Sequence, residues 1–286
     1  MRVPSTIRHP GRLVAAVLGC VVLAGCGSSR PAEQVPTGPP KVPSDALISA
    51  HEIKFCSDIS APPLTFYDAT QTPTGAEIDL GSALAQELNL KPVWSNTSFA
   101  GIIPALQGRQ CDAILSQLYI KPERERVVDF VPYMYASNTL MVKVGNDAGL
   151  TGLDSLCGRK VASQTGTTVS VFLQDATAKC GQSGRPPIDI RQFNKDSEAL
   201  QQLSLGLVDA YGTTLETASY AMSRQPGVYH TAGEPFNRIR VGMATLKSNQ
   251  ALRNALASAL GAVQKNGKYA QILERWNLSG DSIGAQ

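Results

Sequence analysis

The chain has 286 residues, 17% of them charged, and a formal net charge of +3. Residues 1–25 read as a secretory signal peptide: Arg2, Arg8 and Arg12 precede an apolar run from Leu13 to Leu23, and small residues follow it. Removing that segment takes away three arginines and no acid, so the mature chain is formally neutral and gives no electrostatic reason to expect a nucleic-acid partner.

The apolar run is too short to favour a membrane-spanning helix, and no later stretch is long and apolar enough for one. It ends in "LAGC", Leu23 to Cys26, which looks like a lipobox, with the Cys26 thiol receiving a diacylglycerol. "VLGC", ending at Cys20, is a weaker candidate, because Leu18 is bulky and cleavage there would cut the apolar run short. Residues 26–50 then form a linker, with five prolines between Gly27 and Asp45 and no apolar periodicity. The roughly 240 residues that follow suit two lobes better than one small domain. Cys56, Cys111, Cys157 and Cys180 remain, and an exported chain permits disulfides among them in three pairings; buried, inert thiols are the alternative. A metal site is a poor reading, since there is no C-x-x-C and only His51 and His230 survive in the mature chain.

From about residue 51, short strand-like segments alternate with longer helical ones, the pattern of α/β layers around a largely parallel sheet. "EIKFCSD" (Glu52 to Asp58) reads as the first strand. A helix follows over Glu77 to Leu90, with Ile78, Leu84 and Leu88 on one face. "FAGIIPALQGRQ" reads as a second helix, and "DAILSQL" as a strand covered on both faces. A strand around Lys160 to Ser163 meets a helix beginning near Thr167. "EALQQLSLGLVDAYG" repeats the order helix, short break, strand seen in "IIPALQGRQCDAILS", a topological echo between two halves. Extended runs near Thr139 to Lys143 and Arg240 to Leu246 are the natural places for the chain to cross between lobes, with a site at their seam. Two helices close the chain, one carrying Leu252, Leu256, Leu260 and Val263 on a face, the other Tyr269, Ile272, Leu273 and Trp276.

Read in order, "IKFCSD", "APPLTF", "TGAEIDL", "IIPALQGRQCDAILS", "IKPERERVVDF" and "SQTGTTVS" resemble the bacterial extracellular solute-binding proteins of family 3, the polar amino-acid receptors of ABC importers. The resemblance runs from about Glu52 to Trp276. It implies a type II periplasmic-binding-protein fold with two crossing strands as hinge: residues 51–141 begin lobe 1, 142–240 form lobe 2, and 241–286 return to lobe 1. It also implies a monomeric extracytoplasmic receptor, held at the cell membrane through Cys26, that closes on a small carboxylate-bearing solute and delivers it to an ABC permease. No cofactor and no catalysis are called for. Two rivals stay open: an enzyme on the same scaffold, like the cyclohexadienyl dehydratases, and a receptor reporting to a membrane sensor. Against the enzyme, no G-x-S-x-G, H-E-x-x-H or phosphate-cradling G-x-x-x-x-G-K-[ST] occurs.

The resemblance also places candidate site residues. "IKPER", Ile120 to Arg124, matches the family's Ile-Thr-x-x-Arg except at Lys121, which puts the carboxylate-binding arginine on Arg124, whose planar guanidinium offers paired donors. Lys121, Glu123, Glu125 and Arg126 are expected to stay mainly solvated. Asp58 either faces the solute's side chain or caps a turn. Phe99 stacks on the solute or packs in the core. Ser116, Gln117 and Tyr119 fall where hydroxyls and backbone N–H groups meet the ligand, with Tyr119 filling part of the pocket. In "QTGTT", Thr167 and Thr168 offer a hydroxyl and a helix N-terminus for an anion, or an N-cap alone. The family's ammonium-binding acid falls on Thr214, which carries no charge, so Glu216 or Asp58 substitutes or the solute is not an ordinary α-amino acid. Some relatives carry a disulfide like Cys157–Cys180, around the "GTT" turn, and Cys56 and Cys111 start strands expected to be neighbours.

Overall fold

A computed structural model describes residues 38–145 and 149–284. The signal peptide and Cys26 lie outside these residues. The elements, in chain order, are β1 (Glu52–Ser57), β2 (Phe66–Tyr67), β3 (Pro73–Thr74), α1 (Ala76–Glu87), β4 (Lys91–Asn96), α2 (Ile102–Gln107), β5 (Ala113–Ile114), α3 (Pro122–Glu125) and β6 (Val128–Lys143). They continue as β7 (Lys160–Gln164), α4 (Thr168–Gln182), β8 (Asp189–Phe193), α5 (Asp196–Ser204), β9 (Ala210–Thr214), α6 (Leu215–Arg224), β10 (Tyr229–Thr231), β11 (Phe236–Leu246), α7 (Gln250–Lys265) and α8 (Lys268–Arg275).

The strands run β4-β1-β5-β11-β6-β9-β7-β8, with β10 added to β6. Each end of this order is a parallel trio in which the first strand of the half lies between the second and the third: β4-β1-β5 and β8-β7-β9. The echo read from the sequence is therefore real, since both halves are wound the same way. The long strands β6 and β11 pair antiparallel with each other, and β11 with β5 and β6 with β9. The sheet is thus mixed, parallel only within each half.

Apolar side chains divide at the crossing. One pair of cores draws on residues up to Ala136 and again from Val241 onward; the other pair draws on residues from Leu140 to Ala232. Between them β6 presents Ser137, Asn138 and Thr139, all buried and all polar. Three consecutive polar groups cannot join either apolar core without partners, and this is where the chain passes from one lobe to the other. The β6–β11 register also slips here, between Phe236 and Ile239, a local irregularity of the kind that bends a strand. The first crossing run proves longer than the expected Thr139 to Lys143. It begins at Val128, masked in sequence by Pro132 and by the polar break at 137–139.

Capping accounts for several helix starts. The side chains of Thr167, Thr214 and Asn249 accept backbone N–H bonds at the N-termini of α4, α6 and α7. The α7 face of Leu252, Leu256, Leu260 and Val263 is buried as expected. Residues 41–47, expected in the linker, pack on lobe 1 instead: Val42, Ala46 and Leu47 join its core, and the Asn249 side chain donates to Ala46 O at 2.8 Å. Cys56–Cys111 joins β1 to the segment leading into β5, and Cys157–Cys180 ties the approach to β7 to α4, each with Cα atoms 5.6 Å apart.

Candidate functional site

The lobes meet across a cavity of about 50 Å3. Lobe 1 contributes Asp58, Phe99, Ser116, Gln117, Tyr119 and Arg124 to its wall, so every lobe-1 residue singled out from the sequence lies on it. Lobe 2 contributes Thr167, Thr168 and Thr214 from the expected set. Glu216 alone of the ten is not on the wall.

Arg124 does turn inward. Pro122 at the first position of α3 starts a single turn, and the Arg124 guanidinium, half-buried, donates from NH1 to Tyr119 O at 3.0 Å. NH2 reaches across to Gly166 O in lobe 2 at 3.5 Å, and the group lies 5.7 Å from the centre of the Phe99 ring. Burial lowers its pKa, but a guanidinium keeps its charge. Among the described residues no carboxylate forms an ion pair with it, because the adjacent Glu123 is taken by Lys121 at 2.6 Å. Glu123, Glu125 and Arg126 are exposed as expected; Lys121 is only partly so.

Facing Arg124, "QTGTT" turns at Gly166, whose φ of +80° admits glycine most easily. Thr167 caps α4 by accepting from Ser170 N–H, and its own hydroxyl donates to Gln164 O at 2.7 Å. Thr168 is the first residue of α4; its hydroxyl is buried and has no hydrogen-bond partner. The orphan hydroxyl and the helix N-terminus present donors to the cavity wall that carries Arg124.

Asp58, at the end of β1, is held by three donors. Oδ1 accepts from the Ser60 hydroxyl at 2.5 Å, and Oδ2 accepts from Phe99 N–H at 2.9 Å and from Gln164 Nε2 of lobe 2 at 2.6 Å. Burial still raises its pKa against these bonds. Ser60 also accepts from Asp196 N–H at 3.0 Å, a second link between lobes. The Ser116 hydroxyl accepts from Asp58 N–H at 2.9 Å and so locks two strand ends together.

Gln117 departs from expectation. Its φ of +44° turns its N–H away to Glu77 Oε1, at 2.6 Å, so that N–H is not offered to a solute. Its side chain donates to Glu216 Oε2 at 3.0 Å, while Ser137 N–H serves Glu216 Oε1 at 3.2 Å. Glu216 thus ties lobe 1 to the crossing strand with a hydrogen bond on each oxygen, and it is off the cavity wall. Burial pushes its pKa to about 7. Tyr119 fills part of the pocket, as expected, with its hydroxyl near Asn138 Nδ2 at 3.4 Å. Thr214 is committed to capping α6.

Several wall residues were not among the expected set, notably Asn138, Gln164, Asp196, Thr213 and Thr217. Gln164 lies inside the quoted "QTGTT", but its side chain reaches Asp58 only once the lobes meet. Asp196 reads in sequence as an ordinary acid in a first helical turn. A second, larger cavity of about 480 Å3 opens beyond Asp58, lined by Phe66, Tyr67, Asn96, Asn194 and Lys195 among others.

Comparison with known proteins agrees with this architecture. The chain is 29% identical over 233 residues, 80% of its length and 91% of the other's, to the putative ABC transporter arginine-binding protein 2 of Escherichia coli (strain K12). An ancestral arginine-binding protein bound to arginine superimposes with a TM-score of 0.74 at 32% identity, covering 79% of this chain and 98% of that one. The ancestral amino acid-binding protein AncCDT-1, a precursor of cyclohexadienyl dehydratase, gives 0.72 and 32%, covering 79% and 95%. The model of the bacterial extracellular solute-binding proteins, family 3, matches residues 53–279, and the chain belongs to that family.

Proposed function

We propose that the mature chain is a lipid-anchored extracytoplasmic receptor that closes on a small solute bearing a carboxylate, an amino acid or a derivative, and passes it to an ABC permease. One observation carries the reading of the solute. Arg124, a buried-side cation with no ion-pair partner among the described residues, faces the orphan Thr168 hydroxyl at a helix N-terminus across a closed cleft. Paired guanidinium donors and a helix N-terminus are both suited to a carboxylate. Closure is the part that both lobes perform: the Gln164–Asp58, Asp196–Ser60 and Gln117–Glu216 bonds all join segments from different sides of the cleft. Hinge closure around a solute is the usual behaviour of such receptors.

This reading calls for no cofactor and no reaction step. The likeness to a dehydratase precursor keeps catalysis in view, yet Glu216, an acid close to the site, accepts a hydrogen bond on each oxygen and is off the cavity wall. A diacylglycerol on Cys26 would supply the two chains that firm anchoring needs.

The test is a thermal-shift screen of amino acids, their amides and simple carboxylates, since a bound ligand raises the melting temperature with its concentration. Carboxylates are expected to stabilise and their amides not; equal shifts for acid and amide would defeat the carboxylate reading. Conversion of any bound compound would transfer weight to an enzyme.

A further inference from the structure

We propose that Asp196, acting with Asp58, is the counter-charge for a cationic group on the solute, and that the site therefore prefers solutes with one carboxylate and a net positive charge. The inference rests on the carboxylate reading of Arg124 and refines it.

The four buried acids of the described residues in this region differ in how well they are served. Asp58 has three donors, and Glu216 has one on each oxygen. Glu77 has an orphan oxygen, but it lies beneath lobe 1 against Leu80 and Tyr133, off the cavity wall. Asp196 is on the wall and 6% exposed; its Oδ1 accepts from the Thr213 hydroxyl at a long 3.4 Å, and its Oδ2 has no hydrogen bond of normal geometry. The Tyr211 hydroxyl lies beside it and acts on it as a donor, though without a bond of normal geometry. A buried carboxylate served by neutral hydroxyls alone, with a second acid beside it, is costly unless a cation joins it.

The charges on the wall point the same way. One cation, Arg124, stands against two acids, Asp58 and Asp196, and Asp58 is close enough to disfavour the charge of Asp196. Lys195, the other cation nearby, acts on Asp58 but lines the outer cavity instead. A solute that satisfies all three groups carries a carboxylate for Arg124 and positive charge for the acid pair. Thr214 offers no charge, and its hydroxyl is spent on its cap.

A proton accompanies this. Burial first, then Asp58, pushes the Asp196 carboxyl up to about 7, against the lowering effect of the Tyr211 and Thr213 hydroxyls. At neutral pH about half of it is protonated without a solute, and a cation arriving beside it expels that proton.

The experiment is titration calorimetry at pH 7 in two buffers of different ionisation enthalpy, with L-arginine and L-lysine as cationic probes and L-glutamine as the neutral one. The wild type is expected to bind a cationic probe about tenfold or more tighter than glutamine and to release about half a proton on doing so. Asp196→Asn is expected to weaken the cationic probe about tenfold or more, to weaken glutamine, which carries one positive charge fewer, by a smaller factor, and to abolish the proton release. Failure of the wild type to bind either cationic probe at millimolar concentration, or Asp196→Asn binding them as the wild type does, overturns the assignment and leaves Asp196 as a structural partner of Tyr211. The wild-type proton count stands even if a variant fails to fold; no proton released also overturns it. Arg124→Ala separates the two readings: loss of all three probes supports the carboxylate clamp whatever Asp196 does, and retention defeats the clamp alone.

Discussion

Gly166→Ala separates strain in the fold from obstruction of closure. At φ +80° an added Cβ meets its own backbone, which costs about 1–2 kcal/mol in any state of the lobes. The same Cβ would lie 3.0 Å from Ala100 Cα and 3.2 Å from Ala100 Cβ, and Ala100 belongs to the opposite lobe. Backbone cannot swing aside, so the closed lobes must part by a few tenths of an ångström. Overpacking of this kind costs about 1–3 kcal/mol, and here it falls on the closed form only. Affinity for any solute that stabilises the wild type should therefore drop roughly 5- to 150-fold. Gly206→Ala is the control: its φ is +70° but nothing lies within 4 Å of the added carbon, so it should lose stability without losing affinity. Calorimetry gives the affinities and small-angle scattering with and without ligand gives the closure. A Gly166→Ala protein that binds within about twofold of wild type, and contracts as far, would refute the argument that these lobes close on one another here.

Three further outcomes follow from the same geometry. Replacing both Cys157 and Cys180 by serine opens a loop with a sequence separation of 23, and chain entropy alone predicts a loss of about 3.5 kcal/mol, visible as a lower melting temperature with little change in affinity. Glu77 is raised from 4.5 to about 7 by burial, against the bonds from Tyr133 and Gln117. The folded chain thus holds a proton that the unfolded chain gives up, so stability falls as pH rises from about 4.5 toward about 7; Glu77→Gln should shrink the difference between melting temperatures at pH 5 and pH 8, and an unchanged difference would count against this role. Thr214→Ala removes a cap and should cost about 1 kcal/mol in stability, with affinity nearly preserved; a large loss of affinity would mean that Thr214 meets the solute after all.

Arg124 was legible through the family resemblance, because "IKPER" matches Ile-Thr-x-x-Arg except at Lys121, whereas the residues alone would read as a solvated charge run. The "QTGTT" turn was legible for the same reason. Both wound halves could be read from apolar runs, since parallel strands covered on two faces leave continuous ones. The first crossing strand was not, because its polar centre at Ser137 to Thr139 breaks the apolar pattern where it serves the hinge. Asp196 was hidden for a different reason. An acid in a helix's first turn is favoured by the helix dipole wherever it occurs, so nothing local marks the one that the fold brings within electrostatic reach of Asp58 from 138 residues away. Glu216 shows the opposite case: proximity in sequence to Thr214 recommended it, and at the second position of α6 its side chain reaches Gln117 and Ser137.

A crystal structure of the mature protein with a bound amino acid tests the account most directly. The account predicts the solute's carboxylate within about 3 Å of the Arg124 guanidinium nitrogens and of donors at the start of α4, with the lobes closed over it. A solute whose carboxylate sits elsewhere, with Arg124 turned to solvent, would contradict it.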